Sequence, residues 1–261
     1  MTPDQMRQAQ ELLYRNWKAG TQIEGLPSAL VPADRAEAYR VQALIETYSS
    51  RPLFGWKIAA TSLAGQQHIG VDGPLAGRIL AERVLPDGGV CPLAGNLMRV
   101  AELEFAFRMG ANLGPRATSY SQDEVLAAVA SLHPGIEIPD SRFRHFETAG
   151  PAQLVADNAC AHLFVLGPAT PADWRAIDLA AHTVPAFRNG DHVGDGVGAN
   201  VLGDPRIALT WLANELSRHG LTLRKGEVVT TGTCIKPLAI VPGDHVEGDF
   251  GVLGRVSLSI N

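Results

Sequence analysis

Apolar residues recur at helical intervals in the first 50 residues of the chain. In the segment 35–48 the apolar positions are three, four and three residues apart, which is the period of one face of a helix. An earlier helix is predicted around Leu13 and Trp17, and Pro27 and Pro32 mark the turn between the two helices. The pattern therefore predicts a helical N-terminal arm.

After residue 50 the pattern takes on the period of a β-strand. Residues 97–108 alternate between a face with Leu103, Phe105 and Phe107 and a face that carries acids, which predicts a long strand. Further strands are predicted at 132–139, at 161–166 and, as strand–turn–strand, within 227–260. Helices are predicted at 62–68, 121–131 and 205–219. The prediction is an α+β fold in which strands dominate the later two thirds.

The chain is rich in residues that form turns. Its 27 glycines and 17 prolines are spread along the 261 residues instead of being concentrated in one tract. This spread favours many tight turns between short elements over a disordered tail. No internal repeat and no linker interrupts the later part of the chain, so we predict two regions: a helical arm at 1–50 and a catalytic domain at 51–261.

The net charge and the lack of long apolar runs exclude some classes of binding partner. With 22 basic and 27 acidic residues the net charge is −5, so no basic field attracts nucleic acid. No apolar run approaches the roughly 18 residues that a membrane span needs, and the N-terminal segment lacks the pattern of an export signal. Three widely spaced cysteines form neither a disulfide framework nor a zinc motif. We expect a cytoplasmic protein that binds neither nucleic acid nor membranes.

The strand alternation brings two acids to one face. Glu102 and Glu104 are two positions apart, so in a strand their Cα atoms lie roughly 6.5 Å apart on the same side. Carboxylates this close repel each other unless water solvates them or a cation lies between them. Their apolar neighbours favour a divalent cation bound through oxygen, although a solvated edge strand accounts for the same pattern.

A third acid lies in similar surroundings. Glu137 is flanked by Ile136 and Ile138. Together with the first two acids it would form a facial set of three oxygen ligands, which leaves positions open for water and substrate. A buried ion pair, for instance with Arg142, is the alternative for Glu137.

A lysine interrupts an apolar run near residue 57. Lys57 lies between Trp56 and Ile58, where a buried lysine either pairs with an acid or serves as a base or an electrostatic clamp. The alternative is a surface lysine whose stem lies on apolar residues while its head reaches solvent. The sequence has no P-loop motif, no G-x-S-x-G nucleophile motif and no H-E-x-x-H zinc motif.

Several motifs, in consistent order, resemble one known family. They read GWKIAATS at 55–62, AELEFAF at 101–107, EIPDSR at 137–142, ADNA at 156–159, WLANE at 211–215, TGT at 231–233 and PGD at 242–244. In these stretches the chain is similar to the 2-keto-4-pentenoate hydratase group of the fumarylacetoacetate hydrolase superfamily, which also includes 4-oxalocrotonate decarboxylases. The resemblance extends from about residue 50 to the C-terminus.

The resemblance implies a fold and a site. The fold would be a mixed β-roll like the C-terminal domain of fumarylacetoacetate hydrolase, with a helical N-terminal region. Three glutamates fall on the family's ligands for Mg²⁺ or Mn²⁺: Glu102, Glu104 and Glu137. Lys57 falls on the active-site lysine, and Asp72 lies near a polar active-site residue. The candidate substrate-binding residues are Thr231, Gly232, Thr233 and Ser141.

The implied activity is a metal-dependent hydratase. It would add water to a 2-hydroxy-2,4-dienoate, or to its 2-keto tautomer, and form a 4-hydroxy-2-keto acid in the meta-cleavage catabolism of aromatic compounds. A 4-oxalocrotonate-type decarboxylase is the alternative, because both reactions pass through one enolate. An acylpyruvate C–C hydrolase needs a water-activating Glu/His pair that the first 80 residues do not clearly provide, and a non-enzymatic scaffold would require a lost metal site. The resemblance also implies a homo-oligomer and, in the decarboxylase branch, a complex with a partner enzyme of the pathway.

Overall fold

Helices and strands alternate along the chain in the computed structural model, which describes all residues from 1 to 261. The helices are α1 (Pro3–Ala19), α2 (Arg35–Ala43), α3 (Leu63–His68), α4 (Gln122–Ala127), α5 (Pro151–Ala156) and α6 (Pro205–Arg218). The strands are β1 (Gly55–Ala59), β2 (Leu75–Ile79), β3 (Val84–Pro86), β4 (Gly89–Cys91), β5 (Val100–Met109), β6 (Val129–Ile138), β7 (Leu163–Leu166), β8 (Thr183–Arg188), β9 (Asp191–Val197), β10 (Val228–Thr233), β11 (Leu238–Ala239), β12 (His245–Asp249) and β13 (Arg255–Ile260). The predicted α+β class is confirmed. None of the helices combines the length and the apolar character needed to cross a membrane.

Local capping explains where the longer helices begin. Thr2 and Gln5 form a capping box at the start of α1, and Pro3 occupies the first helical position. At the start of α6 the Asp204 side chain accepts a hydrogen bond from the Arg206 N–H, and Pro205 is the first residue of the helix. Both helices lie where the pattern predicts them.

Several predicted boundaries are wrong, and for three of them the structure shows the reason. The helix predicted at 35–48 changes after Ala43 to a tighter 3₁₀ turn. The helix predicted at 121–131 ends at Ala127, because the following residues join β6 and pair with the end of β5. The strand predicted from residue 97 begins only at Val100, because Arg99 adopts a left-handed conformation with φ of 49°.

The strands form two mixed sheets. The larger has the order β2-β1-β10-β5-β6-β7-β3, with β11 paired to β5, and the smaller has the order β4-β13-β12-β8-β9. Most neighbours are antiparallel, whereas β1–β10, β3–β7 and β4–β13 are parallel. Strand β5 is central because it pairs with both β6 and β10. This is the mixed β-roll that the resemblance implies.

The two faces of strand β5 lie in different environments. Leu103, Phe105 and Phe107 are fully buried in the main hydrophobic core. Their neighbours in the sequence, Glu102 and Glu104, lie on the opposite face, as the alternation of a strand requires. The same strand therefore packs the core with one face and carries acids on the other.

The N-terminal helices share that main core. Ala9 and Leu13 of α1 and Val41 of α2 belong to the same cluster as the β5 aromatics. The side chain of Gln42 is fully buried and donates 2.8 Å hydrogen bonds to the carbonyls of Ala76 in β2 and Val155 in α5. The division of the chain at residue 50 stays a prediction, and the two regions are packed together through this contact.

Replacing Gln42 by alanine should cost about 2–4 kcal/mol of unfolding free energy, because two buried carbonyls and the Arg78 guanidinium then lose a partner. Urea unfolding measures this change. The matched control is Gln8→Ala on the exposed side of α1, which should stay within about 0.5 kcal/mol of the wild type. Equal losses for the two variants would contradict the structural role of Gln42.

Candidate metal centre and active site

Sheet register brings the three predicted ligands together. Glu102 in β5 lies directly opposite Glu137 in β6, and Glu104 lies opposite Gly135. Residues that face each other on neighbouring strands project to the same side of a sheet. One ligand oxygen from each glutamate lies within 4.8 Å of the others. The structure therefore assembles the oxygen set that was predicted from the spacing of the acids.

Two buried carboxylate oxygens, one on Glu104 and one on Glu137, have no protein partner. Glu104 accepts hydrogen bonds on Oε2 from the Thr230 hydroxyl and from the Gly232 N–H at 2.7 Å, whereas its Oε1 has none. Glu137 Oε1 lies 3.1 Å from Lys57 Nζ, and its Oε2 is also without a partner. Buried polar atoms in proteins are almost always satisfied. These two oxygens are therefore free to bind a cation.

Burial and mutual repulsion raise the pKa of the carboxyl groups. Burial, and then the charge of Glu137, raise the pKa of Glu102 to about 7, while Lys57 opposes the rise. Burial and the charges of Glu137 and Glu102 also raise the pKa of Glu104 well above its usual range. With all three groups ionised, as metal binding requires, three carboxylates and one ammonium would carry a net charge of −2, which a divalent cation would balance. The residues present therefore fit a divalent metal ion.

Lys57 is the cation of this site. Its side chain is 4% exposed, and Nζ donates to the Ala159 carbonyl at 3.0 Å beside the contact with Glu137. Burial lowers the pKa of the lysine, but the charges of Glu137 and Glu102 outweigh burial, so the net shift is upward. Lys57 is therefore an ammonium, and its alternative as a surface lysine is wrong.

The alternative pairing of Glu137 with Arg142 is also wrong. Arg142 forms its ion pair with Asp157, and Glu137 pairs with Lys57. Ser141 belongs to the Arg142–Asp157 cluster, where its hydroxyl donates to Asp157 Oδ2 at 2.8 Å. A substrate contact at Ser141 therefore stays a prediction.

The segment 231–233 lies beside the carboxylates, but its hydroxyls are engaged within the protein. Thr231 donates to the Phe105 carbonyl at 2.9 Å, and Thr233 donates to the Ile235 carbonyl at 2.7 Å. Gly232 has a φ of 99°, and a Cβ there would lie 2.0 Å from the Thr61 hydroxyl oxygen, so this position requires glycine. Its N–H reaches Glu104, which ties the segment to the metal centre.

Asp72 lies apart from these contacts. It is exposed in the turn between α3 and β2, and it forms no hydrogen bond or ion pair with the glutamates or with Lys57. Its role as an active-site residue stays a prediction.

Sequence reasoning missed two groups of the site. Thr230 bonds Glu104, and its position immediately before the TGT segment was the available signal. Ala159 contributes only its main-chain carbonyl to Lys57. A main-chain ligand leaves no signature in residue type, so no pattern could have found it.

Apolar side chains continue the face of the sheet that carries the site. A separate small cluster of buried residues comes from four strands of the larger sheet: Ile79, Ala106, Phe164 and Val228. Phe54, Val84 and Leu166 pack against it. Charged and apolar surfaces thus lie side by side on one face.

Comparison with known proteins places the chain in a family. The chain belongs to the family described as fumarylacetoacetate (FAA) hydrolase C-terminal, whose profile matches residues 80–260. It is 33% identical over 259 residues to a 2-keto-4-pentenoate hydratase of Paraburkholderia xenovorans (strain LB400), covering 98% of this chain and 95% of that protein. A 2-hydroxyhexa-2,4-dienoate hydratase of Comamonas testosteroni is 33% identical over 80% of this chain and 79% of its own length.

A solved structure is similar over the whole chain. The 4-oxalocrotonate decarboxylase from Pseudomonas putida G7, complexed with magnesium and adipate, superposes with a TM-score of 0.90 at 28% identity. The match covers 100% of this chain and 99% of that one. The family resemblance predicted from the motifs is confirmed, and so is the fold.

Replacing Glu104 by glutamine should weaken Mg²⁺ binding by at least about tenfold, which is about 1.4 kcal/mol. Without metal the variant should be as stable as the wild type or more stable, because one of three mutually repelling carboxylates is gone. Calorimetric titration and thermal unfolding with and without Mg²⁺ measure both effects. The control is Asp123→Asn on the exposed side of α4, which should change neither the Mg²⁺ affinity nor the thermal stability. Undiminished Mg²⁺ affinity in the Glu104 variant would contradict the metal assignment.

Proposed function

We propose that this protein is a metal-dependent hydratase of a 2-hydroxy-2,4-dienoate, acting through the 2-keto-4-enoate and forming a 4-hydroxy-2-keto acid in aromatic meta-cleavage catabolism. The observation that carries the proposal is the cluster of three carboxylates beside a buried ammonium, in which buried Glu104 and Glu137 each have one unpartnered oxygen. The two relatives named as hydratases support this choice of reaction.

The metal is proposed to be Mg²⁺ or Mn²⁺, held by Glu102, Glu104 and Glu137. Carboxylate oxygens suit these hard cations, and the decarboxylase of similar structure is complexed with magnesium. When bound, such an ion acts as a Lewis acid that draws the carboxylate and the 2-oxygen of a keto acid to the site and stabilises negative charge there.

Lys57 contributes a fixed positive charge. Its ammonium lies 3.1 Å from one metal-ligand carboxylate, and its second hydrogen bond to Ala159 prevents it from swinging away. It would stabilise the negative charge that develops when the dienol becomes an enolate, or take part in proton transfer.

Decarboxylation of a vinylogous 2-keto acid such as 4-oxalocrotonate is the second candidate. The superposition with the Pseudomonas putida G7 decarboxylase favours it. Both reactions need stabilised negative charge at the 2-oxygen, so the same glutamates and lysine serve either one. The cytoplasmic location, the homo-oligomer and the partner enzyme of the pathway stay predictions.

The purified protein should convert 2-hydroxypenta-2,4-dienoate when Mg²⁺ is present and lose that activity after chelation. Loss of the dienol absorbance and chromatographic detection of the 4-hydroxy-2-keto acid measure the reaction. The same assay with 4-oxalocrotonate, followed by release of carbon dioxide, tests the second candidate. No hydration of the dienoate, or hydration that persists without metal, would refute the proposal, and release of carbon dioxide from 4-oxalocrotonate would then support the second candidate.

Replacing Lys57 by methionine should lower kcat by about 100- to 1,000-fold, which is the usual effect of removing a preorganised charge-stabilising group. Methionine keeps the apolar length of the side chain and removes the ammonium together with its contacts to Ala159 and Glu137. Lys236→Met is the matched control, because Lys236 is exposed, and it should leave kcat unchanged. An unchanged kcat in a folded Lys57 variant would remove the lysine from the mechanism.

A further inference from the structure

A left-handed turn lies next to the lysine of the site. Three consecutive non-glycine residues have positive φ: Asn158 at 58°, Ala159 at 49° and Cys160 at 61°. Each such conformation is strained and persists only where the surroundings hold it in place. Other contacts of the protein must therefore hold this turn.

The side chain of Asn158 supplies such a contact. Its Oδ1 accepts from the Arg78 N–H at 2.6 Å, and its Nδ2 donates to the Arg78 carbonyl at 2.8 Å. Strand β2 is at the edge of the larger sheet, where main-chain groups lack a strand partner. The amide of Asn158 takes the place of that partner and fixes the turn to the sheet.

The turn can approach Lys57 because β2 has a glycine at the position where the turn packs against the strand. Gly77 lies opposite Lys57 in the register of β1 and β2. A Cβ on Gly77 would lie 2.3 Å from the Asn158 carbonyl oxygen and 3.1 Å from Lys57 Cγ. With glycine in this place the turn packs directly on the strand, and the Ala159 carbonyl meets Lys57 Nζ at 3.0 Å.

We propose that Asn158 is a positioning residue that holds the Lys57 ammonium beside Glu137 through the Ala159 carbonyl. The bidentate bond to Arg78 fixes the left-handed turn, and the turn aims one main-chain carbonyl at the lysine. The consequence for catalysis rests on the function proposed above, whereas the consequence for the lysine's position does not.

The variant that isolates this role is Asn158→Gly. Glycine adopts positive φ without strain, so the backbone keeps its preference while the amide is removed. The matched control is Asn214→Ala in α6, because Asn214 forms the same bidentate contact with the main chain of Tyr120, at 2.7 Å and 3.0 Å. Asn214 bonds no residue of the site.

The first measurement does not depend on activity. Reductive methylation with formaldehyde and a borane reductant, followed by peptide mass spectrometry, reports how accessible Lys57 is relative to the exposed Lys236 in the same molecule. In the wild type and in the Asn214 variant Lys57 should stay protected. In Asn158→Gly its methylation relative to Lys236 should rise several-fold.

The second measurement is steady-state hydration of 2-hydroxypenta-2,4-dienoate with Mg²⁺. Misplacing a charge-stabilising group by about 1 Å costs up to roughly 100-fold, so we expect kcat of Asn158→Gly to fall by about 10- to 100-fold with little change in KM. Mg²⁺ affinity should be retained, because the three glutamates are untouched. Asn214→Ala should keep the kcat of the wild type.

The outcomes separate the two proposals. If the wild type does not hydrate the dienoate, the proposed function fails, and the methylation result alone decides the role of Asn158. Unchanged protection of Lys57 in folded Asn158→Gly overturns the positioning role. An equal fall in kcat for Asn214→Ala overturns it as well, because the effect would then be a general loss of stability. If Asn158→Gly does not fold, Asn158→Asp retains the acceptor to Arg78 and is judged by the same two measurements.

Discussion

Repulsion among three closely spaced carboxylates, two of them buried and one half-buried, is the constraint around which this protein is organised. Two unit charges about 4 Å apart repel by about 4 kcal/mol at the effective dielectric constant of a protein, and here one ligand oxygen from each glutamate lies within 4.8 Å of the others. Lys57 and the donors to Glu104 compensate part of this cost. A divalent cation bound at this site would offset the repulsion that remains. Without the cation the carboxylate cluster destabilises the protein locally, and the surrounding fold holds the cluster in place.

A rigid sheet can hold such a cluster because the same strand anchors it from behind. The core face of β5 carries Phe105 and Phe107, which are fully buried, and its other face carries two of the ligands. Moving Glu104 away from its neighbours would require the aromatics to leave a close-packed core. The packing of the aromatic side chains on one face of β5 therefore fixes the positions of the glutamates on the other face.

A chain of buried amides connects the N-terminal helices to Lys57. Gln42 of α2 contacts the Arg78 side chain, and Asn158 binds the Arg78 main chain on the edge of the sheet. The turn that begins at Asn158 then bonds Lys57. The N-terminal helices thus cover the strand on which the active-site turn rests, which gives them a role in the site although they supply none of the proposed metal ligands.

The sequence by itself determined the features that depend on neighbouring residues. The period of two placed Glu102 and Glu104 on one face, the helical patterns located α1 and α6, and the motifs identified the family. Only the tertiary structure decided that Glu137 faces Glu102 and pairs with Lys57 instead of Arg142, since register joins strands far apart in the chain. It also decided the end of α4, because pairing with β5 outweighs helix propensity there. The sequence could not predict main-chain groups of the site such as the Ala159 carbonyl. Every residue has the same main-chain carbonyl, so only its position in the fold makes it part of a site.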